Sequence, residues 1–326
     1  MPAPSASSIS VVVPTYNDVE HLGAALESIV AQTLAPGEIV VADDGSDDGT
    51  EQLVDSFAER YGAVMPIRYV RLETRSGVVA ARTEGIAQAR GDWIANCDSD
   101  DTWLATKLER QLEFLRSWSG ERRLVLLGTF GYNVNEAEEV ISEAPIGPSS
   151  EEDFERTRRR GGRVVVMHSS VLYSRADYLA VGGYTTEYGT ADDGDFFGKM
   201  AELGVVMCVP EPLINYRKRA GSIQVAQFWE KQQSAMHLRL NLRRRAKGEP
   251  PISREQFDAQ LAAEPMRRRL RRRRLWLGAY YNRVGGMNFV NGRRVTGASQ
   301  LALAAIMDNS RVRHGLRRYL RTRSRT

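Results

Sequence analysis

Three clusters of carboxylates carry the chemistry this chain has to offer: Asp43-Asp44, Asp98-Ser99-Asp100-Asp101 and Asp192-Asp193-Gly194-Asp195. A carboxylate accepts a hydrogen bond from the ring N–H of a nucleobase, and that is the use open to the first pair. Three carboxylates within four residues repel one another unless a cation or a partner compensates them. The second cluster therefore suits a hard divalent ion, Mg2+ or Mn2+, which takes oxygen ligands and bridges protein carboxylates to substrate phosphates. The third cluster comes just before the helical pattern Phe196–Leu203, where one acid is positioned to act as general base for an incoming hydroxyl. Each cluster also has a plainer reading, since Asp, Gly and Ser make turns and acids near helix starts serve as caps. On that reading Asp47 and Asp48 shape a turn, Thr50 caps the helix that follows, and Asp101 caps a helix over Trp103–Ser117.

The elements that must hold these acids alternate regularly. Ile9–Val13, Glu38–Ala42, Ile67–Leu72 and Trp93–Cys97 read as short buried strands. Between and after them Leu22, Ala25, Leu26, Ile29 and Val30, then Leu53, Val54, Phe57 and Ala58, then Val78–Ala89, then Leu104–Leu115 fall at helical spacing. Such alternation implies parallel strands joined by right-handed crossovers, with ligands bound beyond the carboxyl ends of the strands. Two of the acidic clusters follow directly after strands, as does Pro14-Thr15-Tyr16-Asn17 after the first. Residues 131–163 read as a loop-rich insertion. Val164–Met167, Ser170–Tyr173 and Val205–Val209 read as further strands, and from about Gln224 the pattern is helical and Arg-rich.

Composition adds a division of charge. Residues 1–225 hold 21 Lys+Arg against 35 Asp+Glu, a balance of −14, whereas residues 226–326 hold 24 against 6, a balance of +18. The pair Cys97 and Cys208 implies no disulfide framework and fits a reducing compartment. No apolar run approaches the ~20 residues that span a bilayer, and the first residues lack the pattern of a secretory signal. The expectation is a cytoplasmic protein, peripheral at the inner face of a membrane.

The run Ile9–Thr50 resembles the opening of the family 2 glycosyltransferases. The resemblance is carried by Val11-Val12-Val13-Pro14-Thr15-Tyr16-Asn17, by Ser28-Ile29-Val30-Ala31-Gln32-Thr33 and by Val41-Ala42-Asp43-Asp44-Gly45-Ser46-Asp47-Asp48-Gly49-Thr50. It continues through Gly77–Arg82, Ala89–Ile94, Asp98-Ser99-Asp100-Asp101, His168–Leu172, Gly182-Gly183-Tyr184, Asp192-Asp193 and Tyr216-Arg217, about residues 8–223 in all. It implies a GT-A fold, that is, an α/β nucleotide-binding Rossmann-like domain with a mostly parallel mixed sheet. Its nucleotide half would cover about 8–130 and its acceptor half about 131–223, with a basic helical region at 224–326. The implied activity is inverting transfer of a sugar from a nucleotide-sugar, a UDP-sugar in the first instance, to a glycan or lipid-linked acceptor.

The resemblance also implies roles. Pro14, Thr15 and Tyr16 would border the base and Asp44 would accept from it. Arg82, Asp98 and Ser99 would lie against the nucleotide, Asp100 would ligate Mg2+ or Mn2+, and Asp193 would be the catalytic base. Where the family often has Asn after the helix Arg, this chain has Thr83. Where many members have Tyr-Arg-x-His it has Tyr216-Arg217-Lys218-Arg219, and Arg219 cannot ligate a metal. His168 reads as a structural histidine, with an acceptor-site role as the other option. The contrasting possibility is a non-catalytic nucleotide- or polyanion-binding protein that keeps the fold. The Arg-rich segment, Arg267–Arg274 with Leu270 followed by Trp276, Tyr280 and Tyr281, has three readings: an anionic membrane surface, self-association, or nucleic acid. The first two stand level; the third has no nucleic-acid motif to support it.

Overall fold

A computed structural model describes residues 5–159, 163–219, 227–245 and 247–308. The arginines predicted to extend the basic region at 311–325, and Arg160-Gly161-Gly162, lie outside the described residues. The chain divides into two compact units, Met1–Val134 with Ser142–Arg217, and Asn135–Ile141 with Lys218–Thr326.

The first unit is α/β. It opens with β1 (Ile9–Thr15), α1 (Val19–Val30), β2 (Glu38–Asp43), α2 (Thr50–Tyr61), β3 (Ile67–Arg71), α3 (Val78–Gln88) and β4 (Trp93–Asn96). Then come β5 (Thr102–Trp103), α4 (Lys107–Ser117), β6 (Leu124–Val134), β7 (Val140–Ala144), α5 (Glu151–Arg159), β8 (Leu172–Ser174), α6 (Arg175–Ala180), α7 (Asp192–Leu203) and β9 (Val205–Arg217). The sheet runs β3-β2-β1-β4-β8-β6-β9-β5, with β7 pairing β6. β1, β2, β3 and β4 are mutually parallel, as are β6 and β9; β8 is antiparallel to both its neighbours and β5 is antiparallel to β9.

Both faces of this sheet are covered, which is why its central strands are continuous apolar runs rather than alternating ones. Val11 and Val13 join a core with Leu22, Leu26 and Ile29 of α1, while Val12 joins the opposite core with Ile86 of α3. Each such side chain contributes about 1.5–3 kcal/mol on burial. Helix α3 packs hard against the sheet at Gly85, where a Cβ would lie 2.7 Å from Val12 Cγ1 and 3.0 Å from Ala42 Cβ.

Four local expectations are corrected. The helix predicted from Trp103 starts at Lys107, because Thr102 and Trp103 pair with Asn215 and Ile214 of β9. Residues 131–163 are not mainly loop: they contain the end of β6, β7 and α5. Val164–Met167 forms no strand, and β8 begins at Leu172 after a 3-10 turn at His168–Ser170. Finally, α7 begins at Asp192, so the third acidic cluster lies inside its first turn instead of ahead of it.

The second unit is helical: α8 (Phe228–Arg245), α9 (Arg254–Ala262), α10 (Met266–Val290) and α11 (Arg294–Met307). Helices α10 and α11 approach closely at Gly297, where a Cβ would stand 2.6 Å from the Phe289 nitrogen. Buried His237 and Asn241 of α8 both bond the Ile252 carbonyl, and Ser253 and Gln256 form a capping box that starts α9. Among the described residues no helix is long and apolar enough to cross a membrane.

Candidate active site

The ends of β1 and β2 lie side by side, with Thr15 in register with Asp43. Asn17 turns the chain with φ of 45°, a conformation Asn tolerates. Its N–H donates to Ser46 Oγ at 2.8 Å and its Oδ1 accepts from Asp47 N at 2.9 Å, so the two strand-end loops brace each other. Asp43 is fully buried and accepts from Ser46 N, from Ser46 Oγ at 2.5 Å and from the Tyr69 hydroxyl at 2.5 Å. That spends Asp43 on the turn, against the sequence-based expectation that both members of the pair face a ligand. Asp48 does shape a cap as predicted: it accepts from the Thr50 N–H and hydroxyl and from the Val19 N–H. Thr50 itself is the first helical residue, and Gly49 occupies the cap position.

Pro14 is buried in β1 beside Ala42, and the buried Thr15 hydroxyl has no hydrogen-bond partner. Asp44 is 3% exposed, and its two carboxylate oxygens accept from Ser76 N at 2.6 Å and Gly77 N at 2.8 Å. Gly77 takes φ of +91°, a conformation open to glycine at no steric cost. The same segment lays the Arg75 guanidinium 4.1 Å above the half-buried Tyr16 ring, in cation–π contact. Thus Asp44 and Tyr16, predicted to meet a base, both contact the segment between β3 and α3.

The acidic loop after β4 separates into three uses. Asp98 is half-buried, and although burial raises its carboxyl, His168 and Arg82 hold it down to about 2. It is therefore ionised at neutral pH. Asp101 is pushed well above the usual carboxylate range by burial and by its acidic neighbours, and its Oδ1 accepts from Arg217 N at 3.0 Å. It does not cap a helix, contrary to expectation, but pins the loop to β9. Arg217 Nε also donates to the Asp100 carbonyl at 3.0 Å. Ser99 donates to Asp18 Oδ2 at 2.7 Å, so its hydroxyl ties the loop to the start of α1.

Among the described residues no group of three or more acids, histidines or cysteines forms a ready metal cage. Mg2+ and Mn2+ do not require one: one or two carboxylates with substrate phosphates suffice. Asp98 and Asp100, hard oxygen donors two residues apart, fit that requirement; Asp101 is buried and accepts from Arg217 N instead.

Arg82 connects this loop to the third acidic cluster. Its guanidinium is buried, donates to Asp192 Oδ2 at 3.0 Å and lies 3.5 Å from Asp98 Oδ1. His168 places Nδ1 3.5 Å from the same Asp98 oxygen and shares Nε2 contacts with Asn96 at 3.0 Å and the Tyr184 hydroxyl at 2.8 Å. Within the first turn of α7 the three acids differ. Asp192 is buried against Arg82, and burial pushes its carboxyl up against the pull of that guanidinium. Asp195 is buried and pairs with Lys199 at 2.6 Å. Asp193 is the half-exposed one, its Oδ1 accepting from the Gly194 N–H at 2.6 Å. Of the three, Asp193 alone is not buried, and access is what a general base needs.

Asn96, Tyr184 and Arg217 complete this arrangement and had no assigned role from sequence. Asn96 sits in an apolar strand, and a lone polar residue there was the available signal. Tyr184 followed a Gly-Gly pair, and Arg217 acts on a loop 117 residues away.

The mostly parallel sheet with loops bracing the ends of β1 and β2, an acidic loop after β4 and an acidic first turn of α7 is that of a glycosyltransferase of the GT-A type. The chain belongs to glycosyl transferase family 2, whose family model matches residues 10–179. It is 36% identical over 110 residues to the Bacillus subtilis protein named for teichuronic acid biosynthesis, TuaG, covering 33% of this chain and 41% of that one. It is 25% identical over 233 residues to the amylovoran biosynthesis glycosyltransferase AmsB of Erwinia amylovora, covering 68% and 76%. To the Escherichia coli UDP-Glc:alpha-D-GlcNAc-diphosphoundecaprenol beta-1,3-glucosyltransferase WfgD it is 35% identical over 107 residues, 33% of this chain and 40% of that one. The matched segment thus spans about two fifths of TuaG and WfgD. Among solved structures, S. aureus TarS 1-349 in complex with UDP superposes with a TM-score of 0.55 at 16% identity, over 94% of this chain and 91% of that one. The mannosyltransferase PcManGT from Pyrobaculum calidifontis, in complex with GDP-Man and Mn2+, gives 0.55 at 17% identity, over 90% and 87%. These structural likenesses concern the fold.

Proposed function

We propose that the protein transfers a sugar from a UDP-sugar to a hydroxyl of a glycan or lipid-linked acceptor, by a single displacement with inversion. The observation that carries this is the partly exposed Asp193, next in sequence to Asp192, which Arg82 joins to Asp98 after β4. Asp193 takes the proton from the acceptor hydroxyl, and the oxygen attacks the anomeric carbon on the side opposite the nucleotide. Tyr16 packs on the base, Pro14 and Thr15 border it, and Asp44 accepts from its ring N–H. Arg82, Asp98 and Ser99 line the nucleotide side. Asp98 and Asp100 would hold a divalent ion, which would supply positive charge for the departing diphosphate. Support for uridine comes from the UDP complex of TarS, for a metal from the Mn2+ of PcManGT, and for a lipid-linked acceptor from the diphosphoundecaprenol substrate in the name of WfgD. With a lipid-linked acceptor, the proposed reaction runs at a membrane surface.

The test is transfer and donor binding in one series. Asp193→Asn is expected to lower turnover by ~10²-fold or more while calorimetric donor affinity stays within about twofold. Asp100→Ala is expected to remove the Mn2+-dependent part of donor binding. Near-normal turnover of Asp193→Asn overturns the base assignment. Metal-independent binding in the unmodified protein overturns the metal.

A further inference from the structure

The first two and a half turns of α10 carry Arg267, Arg268, Arg269, Arg271, Arg272, Arg273 and Arg274. Arg272 pairs with Glu264 and lies over the Trp276 ring at 5.6 Å. The other six are exposed, and among the described residues no carboxylate pairs with them. Six like charges in two and a half turns repel one another, so the segment is held at an electrostatic cost unless something anionic meets it.

The same surface is also apolar. Met266 is 64% exposed, Leu270 58% and Trp229 of α8 41%. Met266, Arg269, Leu270 and Arg273 follow the i, i+3, i+4, i+7 spacing that puts side chains on one side of a helix. With Trp229, Arg272 and Trp276 they line an open groove of about 470 Å³. Its floor is firm: Trp229 lies 6.3 Å from Trp276 and stacks on Tyr280 at 6.1 Å, and Phe228 meets Tyr280 edge-on at 5.4 Å.

We infer that this end of α10, with Trp229, is a docking surface for an anionic lipid bilayer. A nucleic acid backbone would match the arginines but leave Met266 and Leu270 in water. A bilayer interface satisfies both, since lipid phosphates meet the guanidinium groups while apolar side chains enter the headgroup and acyl boundary. Trp229 and Trp276, apolar rings with a polar N–H, suit that depth. The inference rests on this unit's own surface and does not depend on the identity of the sugar donor.

Co-sedimentation of the full chain with vesicles tests it without reading turnover. Binding is expected to phosphatidylcholine vesicles containing phosphatidylglycerol, to be weak to phosphatidylcholine alone, and to fall with salt. R267E/R269E/R273E is expected to weaken partitioning at least about tenfold. M266S/L270S is expected to weaken it several-fold while leaving the salt dependence in place. All five positions are exposed, and unchanged circular dichroism and melting establish that the variants fold. Three results overturn the inference: equal binding to neutral and anionic vesicles, no effect of M266S/L270S, or tighter binding to a DNA or RNA oligonucleotide than to vesicles at equal salt. A salt-sensitive dimer in sedimentation velocity that R267E/R269E/R273E dissolves, with no vesicle binding, assigns the face to self-association instead.

Discussion

Arg82 and Asp192, 110 positions apart in sequence, meet in a buried hydrogen bond of 3.0 Å. Asp192 immediately precedes Asp193, and Arg82 also faces Asp98. One guanidinium therefore ties the first turn of α7 to the loop after β4, and with it sets how far Asp193 stands from Asp98.

Removing that guanidinium leaves Asp192 buried without its cation. Arg82→Met is expected to cost about 3–5 kcal/mol in urea denaturation, the usual penalty for breaking a buried pair from one side. Adding Asp192→Asn removes the stranded charge, so the double variant is expected to recover at least about 1 kcal/mol. Strictly additive losses would mean that the two residues do not act through each other.

The contact between Asp44 and the N–H groups of Ser76 and Gly77 makes a local prediction. Hydrogen bonds to a charged acceptor contribute about 1.5–3 kcal/mol, so Asp44→Ala should speed amide exchange at these two residues by roughly 10–100-fold. Amides in β1 serve as the internal reference, because their ladder to β2 is untouched. Unchanged exchange at Ser76 and Gly77 would show that this segment is held by something other than Asp44. Arg75, next to Ser76, lies over Tyr16, so the donor affinity of the same variant also reads this segment.

Most of the first unit was legible in the sequence because its signals are local. β1 to β4 are β-branched runs closed by turn residues, and α1 to α3 have apolar positions at helical spacing. What escaped were elements fixed by distant partners. Thr102-Trp103 looked like the start of a helix and became a strand because β9, more than 110 residues later, supplies its ladder. β6 and β7 are obscured by glycine, asparagine and glutamate, which carry little strand signal. In the site, the place before a helical pattern pointed to the cluster Asp192-Asp193-Gly194-Asp195, and the family resemblance to Asp193 within it. That Asp192 and Asp195 are tied to Arg82 and Lys199 is something no spacing reveals. The Asp43-Asp44 pair shows the same limit, since the turn that consumes Asp43 draws on Tyr69 from β3.

Lys107, fully buried at the start of α4, provides a pH test of the core. Burial lowers its amine from 10.5 to about 7, against an opposing pull from Cys97. Its Nζ donates to Gln111 Oε1 at 3.0 Å and lies 3.6 Å from the Trp103 ring centre. Below pH 7 the amine is charged in both folded and unfolded chains, and the desolvation penalty is present in full. Between 7 and 10.5 the unfolded chain holds a proton that the folded one has released, so stability rises with pH. Above that window both forms are neutral and the slope ends. Lys107→Met has no such term. The unmodified protein should therefore gain about 1–3 kcal/mol relative to Lys107→Met between pH 7 and pH 9, the Trp103 face trimming the ~1.4 kcal/mol expected per pH unit. Urea denaturation of both proteins across that range reads the difference directly. A difference that stays flat would mean that Lys107 keeps its proton in the folded core, and that the Trp103 ring and Gln111 outweigh the cost of burying it.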